Sequence, residues 1–124
     1  MALYFEAETY EILGACFEVY REKGCGFLED VYQECLEIEF GIREIPFLCK
    51  PELALEYKGR SLRKRYEPDF VCYENLVLEI KAAKAIDDSY RAQLMNYMRA
   101  TKTSIGLLVN FGHFPKVQHE RFVI

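Results

Sequence analysis

Three ionisable residues stand at the ends of two short apolar segments in the middle of the chain. Asp69 comes just before the segment 70–73, and Glu79 and Lys81 lie at the end of the segment that begins at Leu76. Two apolar segments with a short polar connection are typical of a β-hairpin. Such segments are usually buried on both faces, where a charge is costly unless it is paired or binds a metal ion. The spacing therefore predicts a cluster of charges at the open end of a buried hairpin.

Two carboxylates and one ammonium group suit the hydrolysis of a phosphodiester. Asp69 and Glu79 offer the hard oxygen ligands that Mg²⁺ prefers. Lys81 lies two residues after Glu79, so both side chains face the same side of a strand. A bound metal ion polarises the phosphoryl oxygen and lowers the pKa of a bound water. The lysine can orient that water or stabilise developing negative charge.

The same residues also allow a purely structural interpretation, in which Asp69 caps a turn and Glu79 pairs with Lys81. The register of the hairpin separates the two interpretations. A two-residue turn would pair Asp69 with Ile80 and would point the Asp69 side chain away from Glu79. The metal site therefore requires a three-residue loop, a bulge or a bend at 68–69. It is excluded if the two carboxylates point to opposite faces.

Length and composition restrict the classes of protein to which this chain can belong. A chain of 124 residues with 51% hydrophobic and 29% charged residues predicts one globular domain over residues 1–124. No apolar run reaches the roughly 20 residues of a membrane helix, so no membrane association is expected. Residues 1–6 lack a basic start and a long apolar stretch, so no secretory signal is expected. The five cysteines show no Cys-x-x-Cys pair, which favours reduced thiols in the cytoplasm over a zinc site or a disulfide framework.

Charge is divided unevenly along the chain. Residues 1–57 carry 4 Lys and Arg against 13 Asp and Glu, whereas residues 58–124 carry 12 against 7. The net charge of −4 argues against a general nucleic-acid coat protein. The basic half contains the hairpin, so a polyanion can approach that face while the acidic face stays away from it. Ordinary uneven surface charge is an equally good interpretation of the same numbers.

Hydrophobic periodicity and turn residues predict the element order ααββββαββ. The consecutive strands pair antiparallel and the third helix is a right-handed crossover, so the sheet is expected to be mixed. The strand 61–66 is basic and weakly apolar, which is typical of an edge strand. Residues 42–51 are predicted to be irregular. Helices are expected over 7–22, 27–40 and 88–100, and strands over 53–57, 61–66, 70–73, 76–80, 104–110 and 117–123.

Three polar residues on predicted helices are further candidates. Glu29 lies among the apolar residues of the second helix, and Gln93 and Tyr97 are four apart on one face of the third. Taken alone, each is more often an ordinary residue at the solvent boundary. His113 and His119 have no motif around them and are interpreted as surface residues.

An ordered set of motifs extends over nearly the whole chain, from about Glu8 to Val123. The motifs are Gly26-Phe27-Leu28-Glu29-Asp30-Val31-Tyr32, Tyr57-Lys58-Gly59, Pro68-Asp69-Phe70-Val71, Leu78-Glu79-Ile80-Lys81, Ala92-Gln93-Leu94-Met95-Asn96-Tyr97 and Leu107-Leu108-Val109-Asn110-Phe111-Gly112. On these motifs the sequence resembles the GxxExxY protein family, small proteins of bacteria and archaea that are placed in the PD-(D/E)XK nuclease superfamily. Tyr20 replaces the histidine usual in that family before the first motif, and Cys25 replaces a proline.

The resemblance implies a restriction-endonuclease-like α/β fold, with an αβββαβ core and a mixed central sheet flanked by helices. Asp69, Glu79 and Lys81 match the superfamily signature, and Glu29 matches the acidic residue that often completes the metal shell. The implied metal ion is Mg²⁺ or Mn²⁺, with the Ile80 carbonyl as an additional ligand. Lys81 is expected to act on the attacking water.

Gln93 and Tyr97 match the Gln-x-x-x-Tyr element of RecB-like exonucleases, which implies that they position the lysine, the water or a phosphate. The expected partner is nucleic acid, DNA or RNA, bound with little sequence preference. The candidate contacts to the phosphate backbone are Arg60, Arg63, Lys64, Arg65, Lys84 and Arg91.

The sequence thus predicts a cytoplasmic, Mg²⁺-dependent nuclease-like phosphodiester hydrolase. The first alternative is a binding or assembly module that keeps the nuclease fold without turnover, as a homo-oligomer or within a larger complex. The small size and the acidic N-terminal half favour that alternative. A nucleic-acid-binding protein without metal dependence is the second alternative.

Overall fold

A computed structural model describes residues 5–124 of the chain. The prediction that no secretory signal is present concerns residues 1–6, and residues 1–4 lie outside the described part of the chain. Within residues 5–124, no helix is long and apolar enough to cross a membrane. The elements are α1 (Glu6–Lys23), α2 (Glu29–Ile42), β1 (Phe47–Cys49), β2 (Leu53–Tyr57), β3 (Arg60–Tyr66), β4 (Phe70–Cys72), β5 (Leu76–Lys81), α3 (Asp88–Thr101), β6 (Ile105–Asn110) and β7 (Gln118–Val123).

The central sheet has five strands in the order β1-β4-β5-β6-β7. β5 and β6 are parallel and are connected through α3, while the other neighbours pair antiparallel. This arrangement confirms the predicted mixed sheet with a helical crossover. β2 and β3 form a separate two-stranded sheet, called the ribbon below. β3 is therefore an edge strand, but of the ribbon and not of the central sheet.

The two faces of the sheet are covered by different helices. Alternate residues of β5 point to opposite faces, and Leu76, Leu78 and Ile80 belong to the cluster built with α1 and α2. Val77 belongs to the other cluster, built with α3 and the ribbon, so Glu79 and Lys81 also point toward α3. The first cluster includes Ile12, Tyr32, Leu36, Phe40, Phe70 and Phe111. The second includes Leu55, Tyr66, Val71, Leu94, Met98 and Leu108.

β1 corrects the prediction that residues 42–51 are irregular. Phe47–Cys49 pairs with β4 at the edge of the central sheet, and the Phe47 ring packs against Phe40 and Phe70. Pro46 and Pro51 flank the segment, and a short edge strand between prolines carries few local strand signals. With β1 in place, the core order αβββαβ is α2, then β1, β4 and β5, then α3 and β6. The ribbon is an excursion between β1 and β4.

Candidate active site

The hairpin between β4 and β5 has the register that the metal site requires. Cys72 pairs with Leu76 and Phe70 pairs with Leu78, so the loop contains three residues, 73–75. Tyr73 and Glu74 both adopt positive φ angles, 53° and 67°. One step beyond the Phe70 pair, Asp69 stands opposite Glu79. The two side chains therefore share a face, toward α3.

Backbone amides of the hairpin donate hydrogen bonds to the carboxylates of both acidic residues. The Asp69 amide donates to Glu79 Oε1 at 3.3 Å, and the Ile80 amide donates to Asp69 Oδ2 at 2.8 Å. The amide and the carbonyl of one strand residue point to the same edge of the strand. The Ile80 carbonyl thus lies on the edge that faces Asp69, while the Ile80 side chain is fully buried on the opposite face.

Asp69 is also tied to α2 through its own carbonyl oxygen. This oxygen accepts hydrogen bonds from Gln33 Nε2 at 3.2 Å and from the Lys50 amide at 3.1 Å. Gln33 is a buried polar residue one turn after Glu29 on the same helix. The contact therefore fixes the helix that carries Glu29 relative to the strand that carries Asp69.

The end of β5 is held from the other side by β6. The Phe111 amide donates to the Lys81 carbonyl at 2.8 Å. The buried Asn110 side chain accepts from the Ala83 amide and donates to the Ala83 carbonyl, both at 2.9 Å. A Cβ at Gly112 would lie 2.3 Å from that same carbonyl oxygen, so only glycine allows the approach. The Asn-Phe-Gly motif thus fixes the backbone that carries Lys81.

One cleft of about 390 Å³ gathers the predicted catalytic side chains. It lies at the open end of the hairpin, between the ribbon, α2 and α3. Six residues predicted for metal binding or catalysis line it, together with two of the predicted phosphate contacts. The lining residues are Glu29, Lys64, Arg65, Tyr66, Glu67, Asp69, Glu79, Lys81, Gln93 and Tyr97.

The other predicted phosphate contacts lie outside the cleft. Arg60 and Arg63 are exposed on β3, and Lys84 is exposed after β5. Arg91 forms ion pairs with Glu120 at 2.7 Å and with Asp88 at 2.8 Å. Because two carboxylates already bind its guanidinium, Arg91 is the least available of these cations for a phosphate.

Tyr66 is a site residue that the sequence reasoning missed. Its hydroxyl donates to Glu79 Oε2 at 2.6 Å, and its ring stacks on Tyr97 with the centroids 4.0 Å apart. Burial raises the pKa of the Tyr66 phenol, so the hydroxyl stays protonated and remains a donor. The only sequence signal was an aromatic residue at the end of a basic strand, and buried tyrosines usually find a partner for the hydroxyl.

Burial is the largest cause of the pKa shifts of Glu79 and Glu29. It raises the pKa of Glu79 to about 7, with the Tyr66 hydrogen bond opposing the shift and the Asp69 charge adding to it. Burial and then the Asp69 charge also raise the pKa of Glu29, against the opposing charges of Lys81 and Lys50. Burial and the Asp69 charge both disfavour the charged forms of Glu79 and Glu29, so a cation bound beside these carboxyl groups would be stabilised.

Removing the charge of Glu79 should change the pH dependence of stability. Because its pKa is raised, the native state keeps a proton that the unfolded state loses between pH 4.5 and about 7. Stability without metal therefore falls as pH rises through that window. We expect Glu79→Gln to exceed the wild type at pH 8 by about 3 kcal/mol and to match it near pH 4.

Urea unfolding in EDTA at both pH values measures this difference. Glu74→Gln, which makes the same chemical change on the exposed hairpin loop, is the matched control. A Glu79→Gln variant that is less stable than the wild type at pH 8 would contradict the raised pKa.

The Lys81 side chain contacts Tyr90 of α3. Its Nζ lies 4.8 Å from the centroid of the Tyr90 ring, within the range of a cation–π interaction. Tyr90 thus holds the ammonium on the same face as Asp69 and Glu79.

The donor set fits a magnesium ion that shares its coordination with water and phosphate. Among residues 5–124, no three or more His, Cys, Asp and Glu side chains are placed to hold a metal ion. Asp69 and Glu79 are adjacent, and the Asp69 charge raises the pKa of Glu29. Mg²⁺ is commonly bound by one or two carboxylates, several waters and the substrate phosphate. The site therefore suits Mg²⁺ better than a metal that needs a closed cage of protein ligands.

Comparison with known proteins relates this chain to a protein family and to a solved structure. The family model of the PD-(D/E)XK nuclease superfamily matches residues 6–122. The crystal structure of SSO0001 is similar to this chain with a TM-score of 0.60 and 18% sequence identity, over 96% of this chain. This chain spans 59% of the length of that protein, so the likeness concerns the fold. No curated protein matches. The restriction-endonuclease-like α/β fold is thereby confirmed.

Proposed function

The chain belongs to the PD-(D/E)XK nuclease superfamily, and from that premise we propose that it hydrolyses phosphodiester bonds of DNA or RNA with Mg²⁺ or Mn²⁺. The main support for this proposal is the cleft that brings together Asp69, Glu79 and Lys81. Glu29 of α2 and Gln93 and Tyr97 of α3 line the same cleft. Acids, a lysine and polar side chains at one place suit positioning and electrostatic stabilisation of a phosphoryl group. The GxxExxY assignment within the superfamily stays a prediction.

Asp69 and Glu79 are the proposed metal ligands, with Glu29 and the Ile80 carbonyl completing the shell together with water. A bound divalent ion supplies Lewis-acid polarisation of the phosphoryl group and a water of lowered pKa. The protein keeps these ligands in place through the Tyr66 hydroxyl on Glu79 and the Ile80 amide on Asp69.

Lys81 orients the attacking water and stabilises the negative charge that develops on the phosphoryl oxygens. Gln93 and Tyr97 border the same cleft from α3 and are proposed to position the water or a substrate phosphate. Lys64 and Arg65 border it from β3 and contact the phosphates that flank the scissile bond. Such contacts depend on salt and tolerate any sequence.

We further propose that residues 1–124 form a single domain. This domain acts in the cytoplasm, alone or as a homo-oligomer. All five cysteines are free thiols, which fits a reducing compartment.

The proposal is tested by incubating the protein with end-labelled single- and double-stranded DNA and RNA. Each substrate is combined with Mg²⁺, Mn²⁺ or EDTA. We expect cleavage of at least one substrate with a divalent ion and no cleavage in EDTA. Intact substrates under every condition would refute it.

A module that binds nucleic acid or assembles with other proteins without turnover is the second candidate. Its supporting observation is that Glu79 already accepts hydrogen bonds from Tyr66 and Asp69, so its oxygens have partners without a metal ion. Binding that survives EDTA and Asp69→Asn, together with intact substrates, favours this candidate.

Tyr66→Phe separates the positioning role of the hydroxyl from its role in packing. Phenylalanine keeps the stack on Tyr97 but removes the donor to Glu79 Oε2. Loss of a partner of a metal ligand commonly lowers metal affinity by about 10- to 100-fold, and we expect this range for Mg²⁺ measured by calorimetry. Tyr57→Phe, on the exposed end of β2, is the control. Unchanged Mg²⁺ affinity in Tyr66→Phe would show that the hydroxyl has no positioning role.

A further inference from the structure

Most of the ribbon does not pack against the rest of the protein. All ten residues from 56 to 65 are exposed. The turn between the strands is tight, because Lys58 and Gly59 both adopt positive φ angles, 49° and 77°. Only the other end is anchored, where Leu55 and Tyr66 join the cluster under α3. The ribbon is thus a fixed, narrow arm with an exposed end.

The exposed end carries a strong positive charge. Between residues 56 and 65 there are five cations and one acid, Glu56. Among residues 5–124, no ion pair involves any of the five, so their charge is available to a partner. Lys58 rests on the Tyr57 ring. The five cations are Lys58, Arg60, Arg63, Lys64 and Arg65.

A β-bulge changes where these cations lie. Ala54 pairs with Arg65 and Glu56 pairs with Ser61, so the three residues from 62 to 64 stand opposite Leu55 alone. A bulge increases the twist of a strand pair and re-aims its side chains. Lys64 and Arg65 line the cleft, while Arg60 and Arg63 lie farther toward the turn. The positive charge therefore runs from the cleft outward along the ribbon.

The shape of the ribbon discriminates between nucleic acids. The major groove of B-form DNA, about 12 Å wide, admits a two-stranded β-ribbon. The major groove of an RNA duplex is too deep and narrow for side chains to read. Proteins that bind single strands use aromatic side chains on which successive bases stack, and residues 56–65 contain one aromatic residue, Tyr57. Shape and charge together favour a DNA duplex.

We propose that the ribbon of β2 and β3 docks into the major groove of duplex DNA and presents the neighbouring backbone to the cleft. This inference rests on the proposed function and names duplex DNA as its substrate class. At about 3.3 Å per residue, β3 extends roughly 20 Å from the cleft, which corresponds to about six base pairs. Lys64 and Arg65 bind the phosphates nearest the cleft, and Arg60 and Arg63 bind those farther along.

Binding is measured in EDTA, by fluorescence anisotropy with a DNA duplex, the single strand and an RNA duplex of the same sequence. Arg60→Ala/Arg63→Ala is compared with Arg99→Ala/Lys116→Ala, which removes equal charge from exposed positions outside the ribbon. We expect the ribbon variant to bind duplex DNA about 10- to 100-fold more weakly and to lower the salt slope by about 2. The control should stay within about twofold, and the wild type should prefer the DNA duplex.

Equal losses in both double variants, a preference for single strands or RNA, or no binding to duplex DNA would overturn the inference. Because no metal is present, the result is independent of cleavage. Ribbon-dependent binding with no cleavage in Mg²⁺ would uphold the docking role and refute the hydrolase. Circular dichroism of the variants checks that the exposed substitutions leave the fold intact.

Discussion

Replacing Asp69 with asparagine should abolish metal-dependent cleavage, with a loss on the order of a thousandfold or more, equivalent to about 4 kcal/mol of transition-state stabilisation. The substitution removes one of the two adjacent carboxylates. It keeps an oxygen that can accept the hydrogen bond from the Ile80 amide. The Asp69 charge also raises the pKa of Glu79 and Glu29, so its removal should relieve repulsion in the apo protein. We therefore expect an inactive but well-folded variant.

Single-turnover cleavage of a labelled substrate measures the effect, and thermal unfolding checks the fold. Asp88→Asn makes the same chemical change at an exposed position on α3 and should leave cleavage close to the wild-type rate. Activity within about tenfold of the wild type in Asp69→Asn would remove Asp69 from the metal site.

Lys81→Met should lower the cleavage rate at saturating substrate by about 10²- to 10³-fold, the range for loss of one group that stabilises transition-state charge. Methionine keeps an unbranched apolar side chain against Tyr90 but removes the ammonium. Mg²⁺ affinity should persist or increase, because a positive charge leaves the neighbourhood of the carboxylates.

The expected combination of lost turnover and retained metal binding distinguishes Lys81 from the metal ligands. Calorimetry with Mg²⁺ and single-turnover kinetics on the same preparation provide both values. Lys116→Met is the control at an exposed position away from the cleft. A Lys81→Met variant that cleaves at the wild-type rate but binds substrate weakly would make Lys81 a binding residue and not a catalytic one.

The cluster of charges at the open end of the hairpin was predictable because Asp69, Glu79 and Lys81 stand at the ends of strongly apolar segments. The register was not, since it depends on Tyr73 and Glu74 adopting positive φ angles. Bulky residues adopt such angles rarely, and no glycine marks the loop. The sequence showed that the metal site requires a three-residue loop. Only the pairing of Cys72 with Leu76 in the structure shows that the loop has this length.

Three features depend on contacts between residues that are distant in the sequence. β1 exists because Phe47–Cys49 finds β4, and nothing in its own three residues requires a strand. Tyr66 meets Glu79 because the ribbon folds back over the α3 face of the sheet. Arg91, which stays a predicted phosphate contact, pairs with Glu120 of β7 at 2.7 Å. Local patterns of charge carry no information on such pairings.

The central claim is that the adjacent carboxylates of Asp69 and Glu79 form the metal site of a nuclease. A calorimetric titration of the wild type and of Asp69→Asn with Mg²⁺ in the absence of nucleic acid tests it most directly. We expect saturable binding to the wild type and none to the variant. No binding to the wild type, or binding that Asp69→Asn leaves unchanged, would contradict the claim.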